Sequence, residues 1–297
     1  KNTFTYARYT PLLYLKEELS EFDKTSQRNM GRFMKGLLVK RLESSFFAFK
    51  KSLDRFIVSY ENFIKAYEKG SVYFSKKYWN RVIEFFLNDD FDAIQQLIDD
   101  EKAEAYPATA FVVELKRDLQ IDLETLIKIK SWWDKIDYDP KLEKFIKELR
   151  HEQLLRNNKL IIFSESKETA EYLFNNLGKQ LNEKPILFHG GSRQSDLNTV
   201  ISNFDAKARH KKDDHRILIT TEVLSEGINL HRSNVVINYD IPWNPTRMIQ
   251  RVGRINRVDT PFDKIYTFNF FPTDQSNDLI ELKEAAIAKI KYFIEML

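Results

Sequence analysis

The chain of 297 residues contains no cysteine, which excludes disulfides, thiolate metal sites and a cysteine nucleophile and fits a reducing compartment. No apolar run approaches the length of a membrane span. The first residues, Lys1-Asn2-Thr3-Phe4, have neither the basic-then-apolar build of a secretion signal nor an initiator methionine. The sequence therefore reads as a cytoplasmic piece of a longer protein with no membrane contact. A strong excess of one charge is also missing: 47 Lys and Arg against 44 Asp and Glu leave a formal +3. That balance permits nucleic-acid binding through a local stripe without requiring it. No G-x-x-x-x-G-K-[ST] occurs, so no loop of N–H groups with a lysine is present to cradle phosphates. His189 and His231 have no histidine or carboxylate at ligand spacing, and no metal site is assigned.

What is present is an ordinary globular composition, 42% hydrophobic and 31% charged, long enough for two domains. They have different grammars. From Thr10 to about Asn157 apolar residues recur at three and four, as in Phe33, Leu37, Leu38, Leu42, Phe46, Phe49 and Leu53 and again in Phe56, Phe63, Ile64 and Tyr67. Tyr73 to Ile98 and Phe111 to Trp133 carry similar stripes, and Asp139-Pro140 opens a helix reaching Arg156. Trp132-Trp133 can stack on bases or supply one core ring and one lid. From Lys159 short apolar runs alternate with helical stretches: Leu160 to Phe163, Ile186 to Phe188, Ile217 to Ile219, Val235 to Ile237 and Ile265 to Phe268. Unbroken apolarity means strands buried on both faces, and helical crossovers mean parallel pairing. The expected fold class is α/β, a doubly wound parallel sheet at 158–297 preceded by a mostly α-helical region at 1–157.

Ligands of such sheets bind beyond the carboxyl ends of the strands. After the first run comes Ser164-Glu165-Ser166; after the second, His189-Gly190-Gly191-Ser192, a glycine pair able to approach a phosphate or simply a tight turn. After the third, Thr220-Thr221 leads into Glu226-Gly227-Ile228-Asn229. Gly190, Gly191, Gly227 and Gly253 all read as strand-to-helix junctions. The loop Lys207 to Arg216, rich in Lys, Arg and His, reads as a solvated connection or a backbone-phosphate contact. After the fourth run, Asn238 to Thr246 contains Trp243, for packing or a ligand, and Asn244-Pro245, a helix start with Asn244 as cap. Gln250-Arg251-Val252-Gly253-Arg254-Ile255-Asn256-Arg257 follows. On a helix, Arg254 and Arg257 at i and i+3 would share a face and aim two planar cationic forks at one anion.

Taken in order, these pieces resemble the C-terminal RecA-like lobe of superfamily-two helicases and translocases. Leu160 to Ser164 resembles motif IV, Thr220 to Leu230 motif V and Gln250 to Arg257 motif VI, with His189-Gly190-Gly191 as the intervening phosphate loop. The Tyr239-Asp240-Ile241-Pro242-Trp243-Asn244-Pro245 stretch, the segment Leu38 to Ser45 and the C-terminal helix from Leu279 to Leu297 are similar to the Swi/Snf-type branch, particularly its bacterial members. The resemblance implies that Arg254 and Arg257 are arginine fingers on the ATP γ-phosphate. It places Glu226, Gly227 and Asn229 near the nucleotide, with Asn229 standing where some relatives carry a ribose-binding Asp. Gln250 and Arg251 would help order the interface, and Ser164, Gly190 and Thr221 would touch phosphates of one strand. ATP and Mg²⁺ would be held mainly by the N-terminal RecA-like lobe of the same protein, whose phosphate loop and D-E-x-H or D-E-A-D strand this sequence lacks. The expectation is a bacterial, ATP-dependent translocase on double-stranded DNA, inactive as this piece alone. The alternatives are an RNA helicase lobe and a non-catalytic scaffold or nucleic-acid adaptor.

Overall fold

The structure, a computed structural model, describes residues 4–74, 104–221, 228–256 and 260–295. It divides into two compact units, Lys1–Leu42 with Phe49–Tyr138, and Glu43–Ala48 with Asp139–Leu297. The first unit contains α1 (Glu21–Ser44) as far as Leu42, α2 (Phe46–Glu68) from Phe49, a two-stranded antiparallel ribbon of β1 (Ser71–Phe74) and β2 (Glu104–Pro107), and α3 (Glu114–Trp133). Leu115, Leu119, Asp122 and Leu126 form the buried stripe of α3. Asp122 in that stripe is satisfied by Thr5 N–H (2.6 Å), Thr5 Oγ1 (3.0 Å), Ala7 N–H (2.9 Å) and Tyr60 Oη (3.0 Å). Trp133 is half-buried and packs its ring edge on Phe49 at 4.9 Å, while Trp132 is exposed.

Two features of this unit depart from the helical reading. The ribbon's first strand takes the start of the Tyr73 to Ile98 stripe, whose remainder lies outside the described residues; a four-residue strand is too short for period-2 alternation to compete with a helical stripe. The stripe running through Leu42, Phe46 and Phe49 is not one helix. It breaks at Ser45, whose Oγ accepts the Ala48 N–H at 3.0 Å and starts α2 afresh.

The second unit begins with α4 (Pro140–His151), capped by Asp139 Oδ1 on the N–H groups of Lys141 and Leu142, and α5 (Gln153–Asn157). Then come β3 (Leu160–Phe163), α6 (Lys167–Gln180), β4 (Ile186–Phe188), α7 (Gln194–Phe204), β5 (Ile217–Thr220), β6 (Val235–Asn238), α8 (Thr246–Gly253), β7 (Tyr266–Asn269), α9 (Asp274–Ile280) and α10 (Leu282–Glu295). Among the described residues the sheet has the order β4-β5-β3-β6-β7, with every pairing parallel.

Alternate residues of the central strands build the two faces. Leu160, Ile162, Ile217, Ile219, Val235 and Ile237 pack on α6 and on Leu142, Phe145, Ile146, Leu149 and Leu155 of α4 and α5. Ile161, Phe163, Leu218 and Val236 pack on Val200 and Phe204 of α7 and on Ile255. This is the doubly wound parallel α/β arrangement expected. The observed division falls at Tyr138/Asp139 rather than at 157/158, because α4 and α5 bury their apolar face in the sheet's own core. The C-terminal helical stretch is two helices, broken at Glu281 with φ 51°. Among the described residues no helix is long and apolar enough to cross a membrane.

Candidate nucleotide and nucleic-acid site

The helices after β3 and β6 leave towards opposite faces: α6 joins one core face, while Arg251 of α8 lies over Phe163 of the other, guanidinium carbon 4.9 Å from the ring centre. The carboxyl ends of these neighbouring strands are therefore the switch point of the sheet. The polar residues just past both strands meet there. Asp240, after β6, is buried; its Oδ1 accepts Glu165 N–H at 2.7 Å, and its Oδ2 accepts Ser164 Oγ–H at 2.9 Å and Ser44 Oγ–H at 2.5 Å. Thr169 Oγ1 lies 2.7 Å from Ser44 Oγ and 2.8 Å from Ser45 Oγ. The two serines that interrupt the helical stripe thus dock on the first turn of α6 and on the end of β6.

Beside this network Arg251 is completely buried. Its Nη1 donates to Asn238 Oδ1 at 2.6 Å and its Nη2 is ion-paired with Glu165, itself almost fully buried. One guanidinium thereby joins α8 to the ends of β3 and β6. Arg251, expected to help order the interface, offers no surface of its own and is held inside this unit. Ser164 is fully buried with its hydroxyl engaged by Asp240.

Removing Asp240 should be felt at once by three partners. Asp240→Ala is expected to cost about 1–3 kcal/mol, since the buried Glu165 N–H and two hydroxyls lose their acceptor. Thermal unfolding checks it, and Ser44→Ala, which removes one hydroxyl partner, should lower Tm less.

Helix α8 starts where Asn244 Oδ1 accepts Thr246 N–H at 3.1 Å, so the expected cap is in place. It ends at Gly253, which closes the helix instead of marking a strand-to-helix junction. Arg254 N–H and Ile255 N–H turn back on the carbonyls of Arg251 (3.2 Å) and Val252 (3.0 Å), tightening the last turn to i→i−3 bonds. Arg254 is consequently a turn residue, and its carbonyl accepts Leu230 N–H at 3.0 Å, which ties it to the stretch containing Asn229. Arg257, expected as its i, i+3 partner, lies outside the described residues, as do Glu226 and Gly227. Arg254 itself is half-buried, with no hydrogen-bond or ion-pair partner for its guanidinium among the described residues. Gln250 is exposed and Asn229 half-buried.

Gly190 and Thr221 follow the adjacent strands β4 and β5, and Thr221 N–H donates to Phe188 O at 3.3 Å. Gly190 is exposed and Thr221 half-buried. The glycine turn is closed on itself: Gly191 N–H donates to His189 Nδ1 (3.0 Å), His189 N–H to Ser192 Oγ (2.9 Å) and Arg193 N–H to Asp196 Oδ2 (2.9 Å). Asp196 thus occupies the first turn of α7 and takes one of the amides expected to be free there. Of the residues anticipated at the site, the accessible ones are Arg254, Gln250, Asn229, Gly190 and Thr221. Asp240, Asn238 and Glu165 carried no assigned role; the signal for them is a polar residue directly following a wholly buried strand, twice over on neighbouring strands.

Lys141, at the start of α4, reaches the same strand end. Its Nζ donates to the carbonyls of Glu43 (2.5 Å) and Ser44 (3.1 Å) and lies 4.2 Å from the Tyr239 ring centre. Burial pushes its pKa down to about 8, partly opposed by Asp240, Glu43 and Asp139. Between about pH 8 and the ordinary lysine pKa, the unfolded chain holds the proton that the folded chain has released, so stability rises with pH there. Lys141→Met should remove that rise, measured as Tm against pH.

Comparison with known proteins agrees with this architecture. Residues 140–259 match the helicase conserved C-terminal domain. The chain is 37% identical over 113 residues to the uncharacterized ATP-dependent helicase YqhH of Bacillus subtilis, covering 38% of this chain and 19% of that protein. It is 32% identical over 144 residues to the ATP-dependent RNA helicase uap56 of Schizosaccharomyces pombe, covering 48% and 31%. The chain thus spans about a fifth to a third of the length of these relatives. Among solved structures, the C-terminal part of the Fun30 ATPase domain matches at TM-score 0.41 and 21% identity, covering 57% of each chain. The C-terminal domain of the DEAD-box protein Dbp5 matches at TM-score 0.40 and 23% identity, covering 53% of this chain and 79% of that one.

Proposed function

We propose that this chain supplies the trans-acting half of a nucleic-acid-dependent ATPase, a helicase or translocase whose phosphate loop and magnesium carboxylates belong to an N-terminal lobe of the same protein. The observation that carries this is Arg254: a guanidinium without a partner among the described residues, mounted at the end of a helix that a buried arginine clamps to the switch point. ATP, with Mg²⁺, supplies a γ-phosphoryl group whose charge is spread over three oxygens during transfer. Arg254 is suited to stabilise that charge when the lobes close, with Arg257 as the second finger. Arg251 holds the finger's mount, while Gln250 and Asn229 offer polar groups beside it. Gly190 and Thr221 present backbone and hydroxyl to the phosphates of a nucleic-acid strand. Opening and closing of the lobes moves these contacts along the strand.

For substrate we propose double-stranded DNA, on the Trp243-Asn244-Pro245 stretch and the long helical region, both similar to the Swi/Snf-type branch. The alternative, RNA, is favoured by the relatives named as RNA helicases, uap56 among them. Comparing duplex DNA with RNA as stimulators of ATP hydrolysis by the full-length protein decides between them; a response to RNA alone would remove the DNA reading. Residues 1–297 by themselves are expected to show negligible hydrolysis, and robust turnover by that piece would contradict the division of labour.

A further inference from the structure

Opposite the switch point, at the far end of α7, the chain carries its most basic short segment, Lys207-Ala208-Arg209-His210-Lys211-Lys212. The loop is pinned in place. Lys212 N–H donates to Ser202 O at 2.9 Å, Arg232 Nη1 donates to Lys212 O (2.8 Å) and Ser202 O (3.0 Å), and Asn203 Oδ1 accepts Asp214 N–H (3.0 Å) and His215 N–H (3.2 Å). The first acidic residue after it is already neutralised: Asp213 pairs with Lys159 at 2.6 Å and Arg232 at 3.3 Å. Arg209, His210, Lys211 and Lys212 are left exposed. Between loop and helix lies a cavity of about 420 Å³ lined by Asn198, Thr199, Ser202, Arg209, His210 and Lys212. Its donors are side-chain amide, imidazole, guanidinium and ammonium, the Thr199 and Ser202 hydroxyls donating to Ser195 O and Thr199 O, and no carboxylate lines it.

The surface leading to this cavity is uniform in chemistry. Gln194, Asn198 and Ser202 are spaced by four and lie on one face of α7, with Ser195 beside them; Gln194, Ser195 and Asn198 are exposed. They form an uncharged polar track from the Gly190 turn to the basic loop, with Asp196 in the first turn of the helix. We infer that the cavity binds a backbone phosphate of the same nucleic-acid strand that meets Gly190 and Thr221, so that the strand runs along α7 and is anchored a second time at Arg209, His210 and Lys212. The inference rests on the nucleic-acid reading above and adds a second, sequence-independent contact site. At about 1.5 Å per residue the helix of 11 residues separates the two contacts by about 16 Å, or roughly five nucleotides.

The test uses the full-length protein and its Arg209→Gln/Lys211→Gln/Lys212→Gln variant, whose altered side chains are all exposed. Binding is titrated against salt with short oligonucleotides and with ones about five nucleotides longer. The wild type should gain affinity from the extra length, and the variant should lose that gain. The variant's log K against log salt slope should be shallower by about 1, the change for one phosphate contact removed. ATPase at saturating nucleic acid should be unchanged. If the wild type binds but the variant keeps slope and length gain, the second anchor is wrong and the motor reading stands. If the wild type binds no nucleic acid and its ATPase is not stimulated, both fail. Loss of polyglutamate binding with nucleic-acid binding intact would assign the loop to an acidic protein partner and overturn the inference.

Discussion

Replacing Arg254 by alanine in the full-length protein is expected to lower nucleic-acid-stimulated ATP hydrolysis by about 10³–10⁵, the range that an arginine finger contributes to phosphoryl transfer. Nucleic-acid affinity should stay within a few-fold of wild type. The split follows from the structure. Arg254 has no partner among the described residues whose loss would disturb the fold, and its backbone is held by Leu230 N–H and the last turn of α8, contacts that alanine keeps. Arg254→Lys should recover only part of the rate, because an ammonium is a point charge without the planar fork. Steady-state ATPase and a binding titration on the same preparations measure both quantities; turnover unchanged in the alanine variant would remove Arg254 from the reaction.

Arg251, three residues earlier, should behave in the opposite manner. Arg251→Met takes the guanidinium from Glu165 in a site almost without solvent and the donor from Asn238. Breaking a buried pair from one side costs about 3–5 kcal/mol. For a unit of this size that is a fall in Tm of roughly 6–20 °C. The double variant Arg251→Met/Glu165→Leu should regain most of that stability, since an apolar pair of similar volume avoids the desolvation of both charges. Activity should not return with it, because α8 would no longer be tied through Asn238 to β6. Calorimetry on the single and double variants is the check. A single variant as stable as wild type would mean the guanidinium does not clamp the helix.

The two arginines show what was legible in the sequence and what was not. The strands were readable to within a residue or two because β3, β5 and β6 are buried along their whole length, and only apolar side chains tolerate that. The start of α8 was readable from its cap, Asn244. Which arginine faces inward was not readable. Helical spacing relates Arg254 to Arg251 and Arg257 equally, and only the tertiary partners Glu165 and Asn238 decide that Arg251 turns into the lobe. The helix end was hidden as well, since Leu230, far away in sequence, takes the carbonyl of Arg254. Likewise the periodicity of α4 and α5 announced an apolar face but not its partner, so these helices were assigned to the helical region while they pack on the sheet. Ser44 and Ser45 read as part of a helical stripe, and their link to Asp240 and Thr169 spans more than a hundred residues.

The central claim is that Arg254 completes a reaction centre whose other groups lie on another lobe. A structure of the full-length protein with a non-hydrolysable ATP analogue and nucleic acid addresses it most directly. The account predicts the Arg254 guanidinium at charge-assisted hydrogen-bond distance, about 2.7–2.9 Å, from a γ-phosphate oxygen, with Arg251 still buried between Glu165 and Asn238. Lobes closed on the nucleotide with Arg254 paired inside its own lobe and away from the phosphate would contradict it.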